Sequence, residues 1–229
     1  MDPWKNTRQR MAQYQADIIE QLNAVEVDAH WFRRAFHTFA ASFLVYYLIP
    51  SDGWVGAIKI IIPTGIVACI AIIDYGRIRG EFDQRRFFGL RGYEKGRPAS
   101  YLYFGVGLLL LLVLVPQQIA IPCILCVSFT DPLIGESRYY LGKQRAYILG
   151  FVVSLFFFLL TWYRAEWWVL LLVALLGASG ALIGEAKKWK WIDDDFMIQI
   201  LPAILLTLFW QVMLLTGNTI LPPPLIHPI

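Results

Sequence analysis

Asp131 ends a long uncharged run, and Gly135, Glu136, Arg138, Gly142, Lys143 and Arg145 crowd the stretch behind it. Carboxylates of this kind suit Mg²⁺, which takes one or two of them together with phosphate oxygens and water. Guanidinium and ammonium groups neutralise the charge on a transferring phosphoryl group. Glycines let a backbone approach phosphate closely. Similar residues recur beside other apolar runs: Arg33, Arg34 and His37; Arg91, Glu94, Lys95 and Arg97; and Glu185 with Asp193, Asp194 and Asp195. The chemistry that fits is phosphate handling where hydrocarbon meets water. That describes a membrane-embedded enzyme acting on a lipid and a phosphate donor.

Each feature also has a plain structural explanation. Asp131-Pro132 is a good helix start, with Asp as N-cap and Pro at the first helical position. The run Asp193–Asp195 offers another cap, but one cap needs one Asp. The cations satisfy the positive-inside rule without any active site, whereas acids contribute little to topology. Gly135 and Gly142 serve phosphate approach or helix packing equally, and residues 135–143 lack the GxxxxGK[ST] loop. His37 fits a general base, a headgroup ligand or an interfacial anchor. Cys123 and Cys126 have CxxC spacing, but no second Cys/His pair completes a metal site, so both read as small apolar residues of a buried helix.

The elements that must hold these residues are membrane helices. The 229 residues are 58% hydrophobic, mean hydropathy is +0.54, and the charge is confined to short stretches. That is the pattern of an all-α polytopic membrane protein. Seven apolar segments lie near residues 35–48, 54–73, 101–115, 119–129, 146–162, 167–183 and 196–215. The first, third and fourth are short against the ~20 residues needed to cross a bilayer, so each is expected to extend into its polar flank. Met11, Tyr14, Ile18, Leu22 and Val25 predict an amphipathic surface helix before the first span. No apolar core of signal-peptide length precedes that span, which is then expected to act as the targeting signal. The domains are therefore residues 1–30, a cytosolic amphipathic helix; 31–217, a single membrane-embedded unit; and 218–229, a short Pro-rich tail.

All but two of the 20 Lys and Arg fall in the N-terminal region, 74–100, 131–145 and 184–195. With seven crossings, these four regions share one side. The positive-inside rule makes that side cytosolic, with the N-terminus, and leaves the C-terminus external. Trp31, Trp54, Trp162, Trp167, Trp168, Trp189 and Trp191 fall near span ends, as an aromatic belt requires.

Taken in order, RRAFH at 33–37, RGYEKGRPASYLYFGVG at 91–107, FTDPLIGESRYYLGK at 129–143 and GEAKKWKWIDDDFMIQILPA at 184–203 resemble the CTP-dependent lipid kinases. That family includes dolichol kinase, phytol kinase and the yeast-type diacylglycerol kinase, and is distantly similar to phosphatidate cytidylyltransferase. Asp131 and Gly142 fit the family's Asp-x-x-Ala-x-x-x-Gly-x-x-x-Gly pattern, with Ile134 in the Ala position and Arg138 in that of the middle Gly. Glu185 and Asp193–Asp195 stand where the family has Glu and Asp-Asp-Asn, and Arg91 with Glu94 keeps its Arg-x-x-Glu.

The resemblance implies Mg²⁺-dependent phosphoryl transfer from CTP, or another nucleoside triphosphate, to a lipid alcohol. Asp131 and Asp194 would lead as metal ligands, supported by Glu185 and Asp193. Gly135, Arg138, Gly142, Lys143 and Arg145 would face the nucleotide. Arg34, His37, Arg91, Glu94 and Arg97 would place the acceptor hydroxyl. Asp131 or His37 would act as base, beside Lys143. Membrane lipids and a second copy in a homodimer are further expected partners; nucleic acid is not. The alternatives are cytidylyl transfer to a lipid phosphate and a catalytically inactive membrane scaffold. A transporter would need a polar path, and the spans offer little beyond Lys59.

Overall fold

The structure, a computed structural model, describes residues 31–82, 87, 90, 94, 96–187 and 192–229. Among them the chain is helical and contains no strand. Helix α1 covers 31–39 and runs into a 3₁₀ segment, Ala40–Leu48. Then come α2 (Gly53–Ile78), α3 (Ser100–Leu114), α4 (Gln117–Leu125), a π-helical turn (Cys126–Thr130), α5 (Asp131–Leu141), α6 (Lys143–Trp162), α7 (Trp167–Ala186) and α8 (Asp194–Leu215). The amphipathic helix expected before residue 31 lies outside the described residues.

Among the described residues, five stretches are long and apolar enough to cross a membrane: Gly53–Ile78, Gln117–Leu141, Lys143–Trp162, Trp167–Ala186 and Asp194–Leu215. The fourth expected segment does extend into its polar flank, since α4, the π turn and α5 form one 25-residue rod. Ser100–Leu114 gains only one residue at its start and stays at 15 residues. The first segment reaches its length differently. At about 1.5 Å per α-helical and 2.0 Å per 3₁₀ residue, 31–48 covers roughly 30 Å, close to a bilayer core.

Burial on α2 is the reverse of a soluble helix. Its buried residues are Gly56, Lys59, Asp74, Gly76 and Arg77. Ile60, Ile61, Ile62, Ile66 and Ile72 are exposed. Burying that much apolar surface in water-soluble form would need a partner helix on every side; a hydrocarbon phase covers it directly. The core proper sits among α3, α4, α6, α7 and α8, around Phe104, Leu111, Ile119, Ile124, Phe158 and Ile198. The stripe Gly180-x-x-x-Gly184 lets α7 lie against α8. A Cβ on Gly184 would collide with the Met197 carbonyl oxygen, and one on Gly180 would press on Pro202.

Side-chain hydrogen bonds tie the two ends of the bundle. At one end Gln117 Nε2 donates to the Ile226 carbonyl (3.0 Å), Gln118 Nε2 to Pro222 (2.8 Å) and Trp162 Nε1 to Gln118 (2.7 Å). The Ile229 N–H reaches the Leu48 carbonyl at 3.0 Å, and Lys59 Nζ donates to the Ile49 carbonyl at 2.7 Å. The Pro-rich tail is therefore a packed plug, with Ile220 buried, rather than the uninformative extension its sequence predicts. Trp162 is 1% exposed and belongs to the core, unlike Trp31, Trp54 and Trp167, which are exposed as belt residues should be.

Candidate active site

The opposite end gathers the charged residues. Asp131 reaches it because α4 does not stop. Pro132 has no N–H for the Ser128 carbonyl, a gap that breaks or kinks a regular helix. Here the turn before it widens: the Asp131 N–H bonds to the Cys126 carbonyl five residues back. Asp131 has φ −60° and ψ −55°, so it continues the rod and does not cap a new helix. A π turn of this kind is a common marker of a functional position.

Asp193 is the N-cap of α8, its side chain accepting from the Asp195 N–H at 3.2 Å. That leaves Asp194 and Asp195 free of capping duty, in the first turn, where the helix dipole favours negative charge. Glu185 ends α7, and the close approach at Gly184 puts it beside α8, within electrostatic reach of Asp131 and Asp194. Asp193 is buried, and that burial, followed by the Asp195 and Asp194 carboxylates, pushes its pKa up to about 8.

A buried knot on α2 positions the segment leading into α3. Arg77 Nε donates to Asp74 Oδ1 at 2.7 Å. Its Nη1 donates to the Glu94 carbonyl (2.9 Å) and its Nη2 to that of Arg97 (2.7 Å). Asp74 also accepts from the Tyr101 hydroxyl (2.7 Å) and the Ala99 N–H (3.1 Å).

Around this frame stands a ring of ion pairs. His37 Nδ1 is 3.4 Å from Asp131 Oδ2 and its Nε2 is 3.6 Å from Asp195 Oδ2. Arg33 faces Asp195 at 3.6 Å and Arg97 faces Asp193 at 3.6 Å. Arg34 pairs with Glu136, and Arg138 with Glu185; Arg138 also donates to the Tyr147 hydroxyl at 2.7 Å. Beside His37 lies a cavity of about 280 Å³. Phe32, Phe36, Ile70 and Phe104 line it together with Arg33, His37, Ser100, Tyr101 and Asp195.

The structure thus brings together His37, Asp131, Asp193, Asp194, Glu185, Arg34, Arg97 and Arg138. Glu94 is buried on the Arg77 side. Gly135 has open space about it. Gly142 has φ +77°, which suits only glycine and makes the turn between α5 and α6. Lys143 and Arg145 are exposed on the first turn of α6, where Lys143 edges a shallow pocket with Gln144, Tyr147 and Phe151. Arg91 lies outside the described residues. Asp131, Glu185, Asp193 and Asp194 do not share one coordination sphere: among the described residues, the sets of three donors within 4.8 Å are His37, Asp131 and Asp195, and Asp193, Asp194 and Asp195.

Asp195, Arg33, Asp74 and Arg77 were not predicted as site residues. Asp195 had a signal, as the third member of the acidic run. Asp74 and Arg77 had a weaker one, three residues apart at the end of an apolar stretch. Cys123 and Cys126 are fully buried and free, as expected of core residues. No protein-family model, no curated protein and no solved structure matches this chain.

Proposed function

We propose that the protein is a membrane lipid kinase that moves the γ-phosphoryl group of CTP, or another nucleoside triphosphate, to the hydroxyl of a polyprenol-, phytol- or diacylglycerol-type lipid. One observation carries this reading. A largely apolar cavity is also lined by His37 and Asp195, and these two stand beside Asp131, so an acceptor chain held among Phe32, Phe36, Ile70 and Phe104 presents its hydroxyl to carboxylates and cations.

The bond formed joins the lipid oxygen to the γ-phosphorus. The bond broken joins that phosphorus to the bridging oxygen, and the nucleoside diphosphate leaves. His37 or Asp131 takes the hydroxyl proton; positioning matters more than base strength in such transfers. Arg33, Arg97 and Arg138 stabilise charge on the phosphoryl oxygens.

Mg²⁺ needs only one or two of the site's carboxylates, with phosphate oxygens and water completing its shell. Glu185 lies within electrostatic reach of both Asp131 and Asp194, and its Oε2 is buried with no hydrogen-bond partner. Asp131 and Asp194 would hold the ion, with Glu185 and Asp193 in support. When bound, it would offset phosphate charge. The proposed orientation has seven crossings, the basic end and N-terminus cytosolic and the tail external.

A second reading, a catalytically inactive scaffold, is favoured by one fact. Arg33, Arg34, Arg97 and Arg138 each already face a carboxylate. The deciding assay offers radiolabelled CTP, ATP and GTP to purified protein with a panel of lipid alcohols and lipid phosphates. Label in a lipid monophosphate supports the kinase. Label from the nucleoside in a CDP-lipid supports cytidylyl transfer, and no transfer supports the scaffold.

A further inference from the structure

We infer that His37, Asp131 and Asp195 form a mixed nitrogen and oxygen site for a first-row divalent transition ion, of the Mn²⁺, Fe²⁺ and Zn²⁺ class, distinct from the carboxylate set assigned to Mg²⁺. One ligand atom from each of the three residues lies within 4.8 Å of the others. They come from α1, the start of α5 and the first turn of α8, so the tertiary fold assembles them and no local turn does.

The Nδ1 contact argues for an absent partner between His37 and Asp131. His37 Nδ1 to Asp131 Oδ2 is 3.4 Å and Nε2 to Asp195 Oδ2 is 3.6 Å. Both exceed an N–H···O hydrogen bond, about 2.7–3.2 Å. Two donors bonded at about 2.0–2.2 Å to one tetrahedrally disposed ion sit roughly 3.3–3.6 Å apart, the spacing of His37 Nδ1 and Asp131 Oδ2; Nε2 points away across the ring and serves Asp195 instead. His37 is 5% exposed and Asp195 3%, and His37 Nδ1 has no hydrogen-bond partner. A buried imidazole nitrogen left so is costly unless something binds it. Phe104 meets the ring edge-on at 5.0 Å and fixes its plane.

The ring nitrogens face different carboxylates. With Nδ1 and Asp131 on the ion, Asp195 stands at Nε2 to hold its proton, the arrangement that orients metal-binding histidines. An imidazole donor selects against Mg²⁺, which prefers oxygen and water, and towards transition ions. Asp131 has two oxygens and belongs to both sets, so the two sites adjoin. This inference stands without nucleotide or lipid turnover.

The test uses the purified full chain in detergent, stripped of metal, with Mn²⁺ alone as the probe and no nucleotide present. Free Mn²⁺ is read by electron paramagnetic resonance and bound Mn²⁺ by its ¹⁴N modulation. The expected result is one retained Mn²⁺ with ¹⁴N coupling, which resists about a hundredfold excess of Mg²⁺. His37→Gln should abolish the coupling and weaken retention roughly tenfold or more. Asp195→Asn should weaken it as well, while His227→Gln, in the tail, should keep wild-type coupling. No retained Mn²⁺, retention without ¹⁴N coupling, ready displacement by Mg²⁺, or unchanged affinity in folded His37→Gln protein overturns the inference. Should His37→Gln not fold, the wild-type ¹⁴N signal and its persistence in His227→Gln decide.

Discussion

Asp74 and Arg77 stand one turn apart on α2 and form an ion pair that is shut off from solvent, with the arginine 0% and the aspartate 1% exposed. The two terminal nitrogens of the guanidinium each donate to a backbone carbonyl, Nη1 to that of Glu94 and Nη2 to that of Arg97. The pair is the clamp that holds the entrance of α3, and through it Arg97, against the site.

Removing one member strands the other. Arg77→Met leaves the Asp74 charge buried, and breaking such a pair typically costs about 3–5 kcal/mol. Arg77→Met alone should lower the unfolding temperature in detergent sharply, and so should Asp74→Asn, since Tyr101 bonds Oδ1 and Ala99 bonds Oδ2 and Asn keeps only one acceptor oxygen. The double variant Asp74→Leu with Arg77→Met should recover part of the loss. Equal losses in single and double variants would show that the pair itself is not what holds the segment.

Asp193 gives a pH signature. Its pKa is pushed up from the ordinary 3.8 to about 8, first by burial and then by the Asp195 and Asp194 carboxylates, with a hydrogen bond from the Asp195 N–H opposing. Arg97 faces it at 3.6 Å, and Tyr103 lies within electrostatic range. A folded-state pKa above the unfolded one means that the folded form binds the proton more tightly. This group therefore favours folding most at low pH, and its contribution is lost as pH climbs from about 4 to about 8. In chelator, unfolding temperature should fall between pH 6 and pH 8.5. Asp193→Asn, which keeps the cap, should flatten that slope. A slope unchanged in Asp193→Asn would place its origin elsewhere.

Much of this was legible in the sequence because hydrocarbon imposes a simple code. Apolar runs separated by charged stretches specify helices between two aqueous faces, and α6, α7 and α8 lie within one to three residues of their expected limits. The candidate residues were legible for a related reason: the positive-inside rule accounts for cations but not for acids, so Asp131, Glu185 and Asp193 stood out. What escaped were features decided by tertiary contact. Asp131-Pro132 reads as a helix start, and only the widened turn at Cys126–Thr130 lets the helix pass through it. The tail has no periodicity, so its docking on Gln117 and Gln118 leaves no trace in its own residues. Asp74 and Arg77 resemble ordinary span-end charges until the backbone groups of Glu94, Arg97 and Ala99 meet them.

The direction of the chain is open to a labelling test. The turn at Gly142 and the C-terminus lie at opposite ends of the bundle. With Cys69 replaced by alanine, Cys123 and Cys126 are buried and give a silent background. A cysteine inserted after Gly142 should then react from the cytosolic side, and one added after Ile229 from the other. Reaction of both from one side would remove the seven-crossing arrangement and the shared cytosolic site with it.

The cations that would meet the donor phosphates can be separated by their present partners. Arg138 is committed to Glu185 and Tyr147, so Arg138→Ala leaves a buried carboxylate alone and damages the fold as well as any site. Lys143 and Arg145 are exposed at the start of α6, so their truncation costs the fold little and reports on ligand alone. A lysine acts as a point charge, whereas an arginine fork can bind two phosphate oxygens at once. Lys143→Ala and Arg145→Ala should each weaken Mg²⁺-nucleotide binding by roughly tenfold or more, the value of one lost charge-assisted hydrogen bond. Arg164→Ala, at the far end, should leave it unchanged, and lipid binding should be the same in all three, because apolar walls hold the acceptor chain. Calorimetry with CTP and Mg²⁺ measures this directly. Equal nucleotide affinity in wild type and all three variants would take Lys143 and Arg145 out of the nucleotide site, and no binding by wild type would leave the scaffold as the better account.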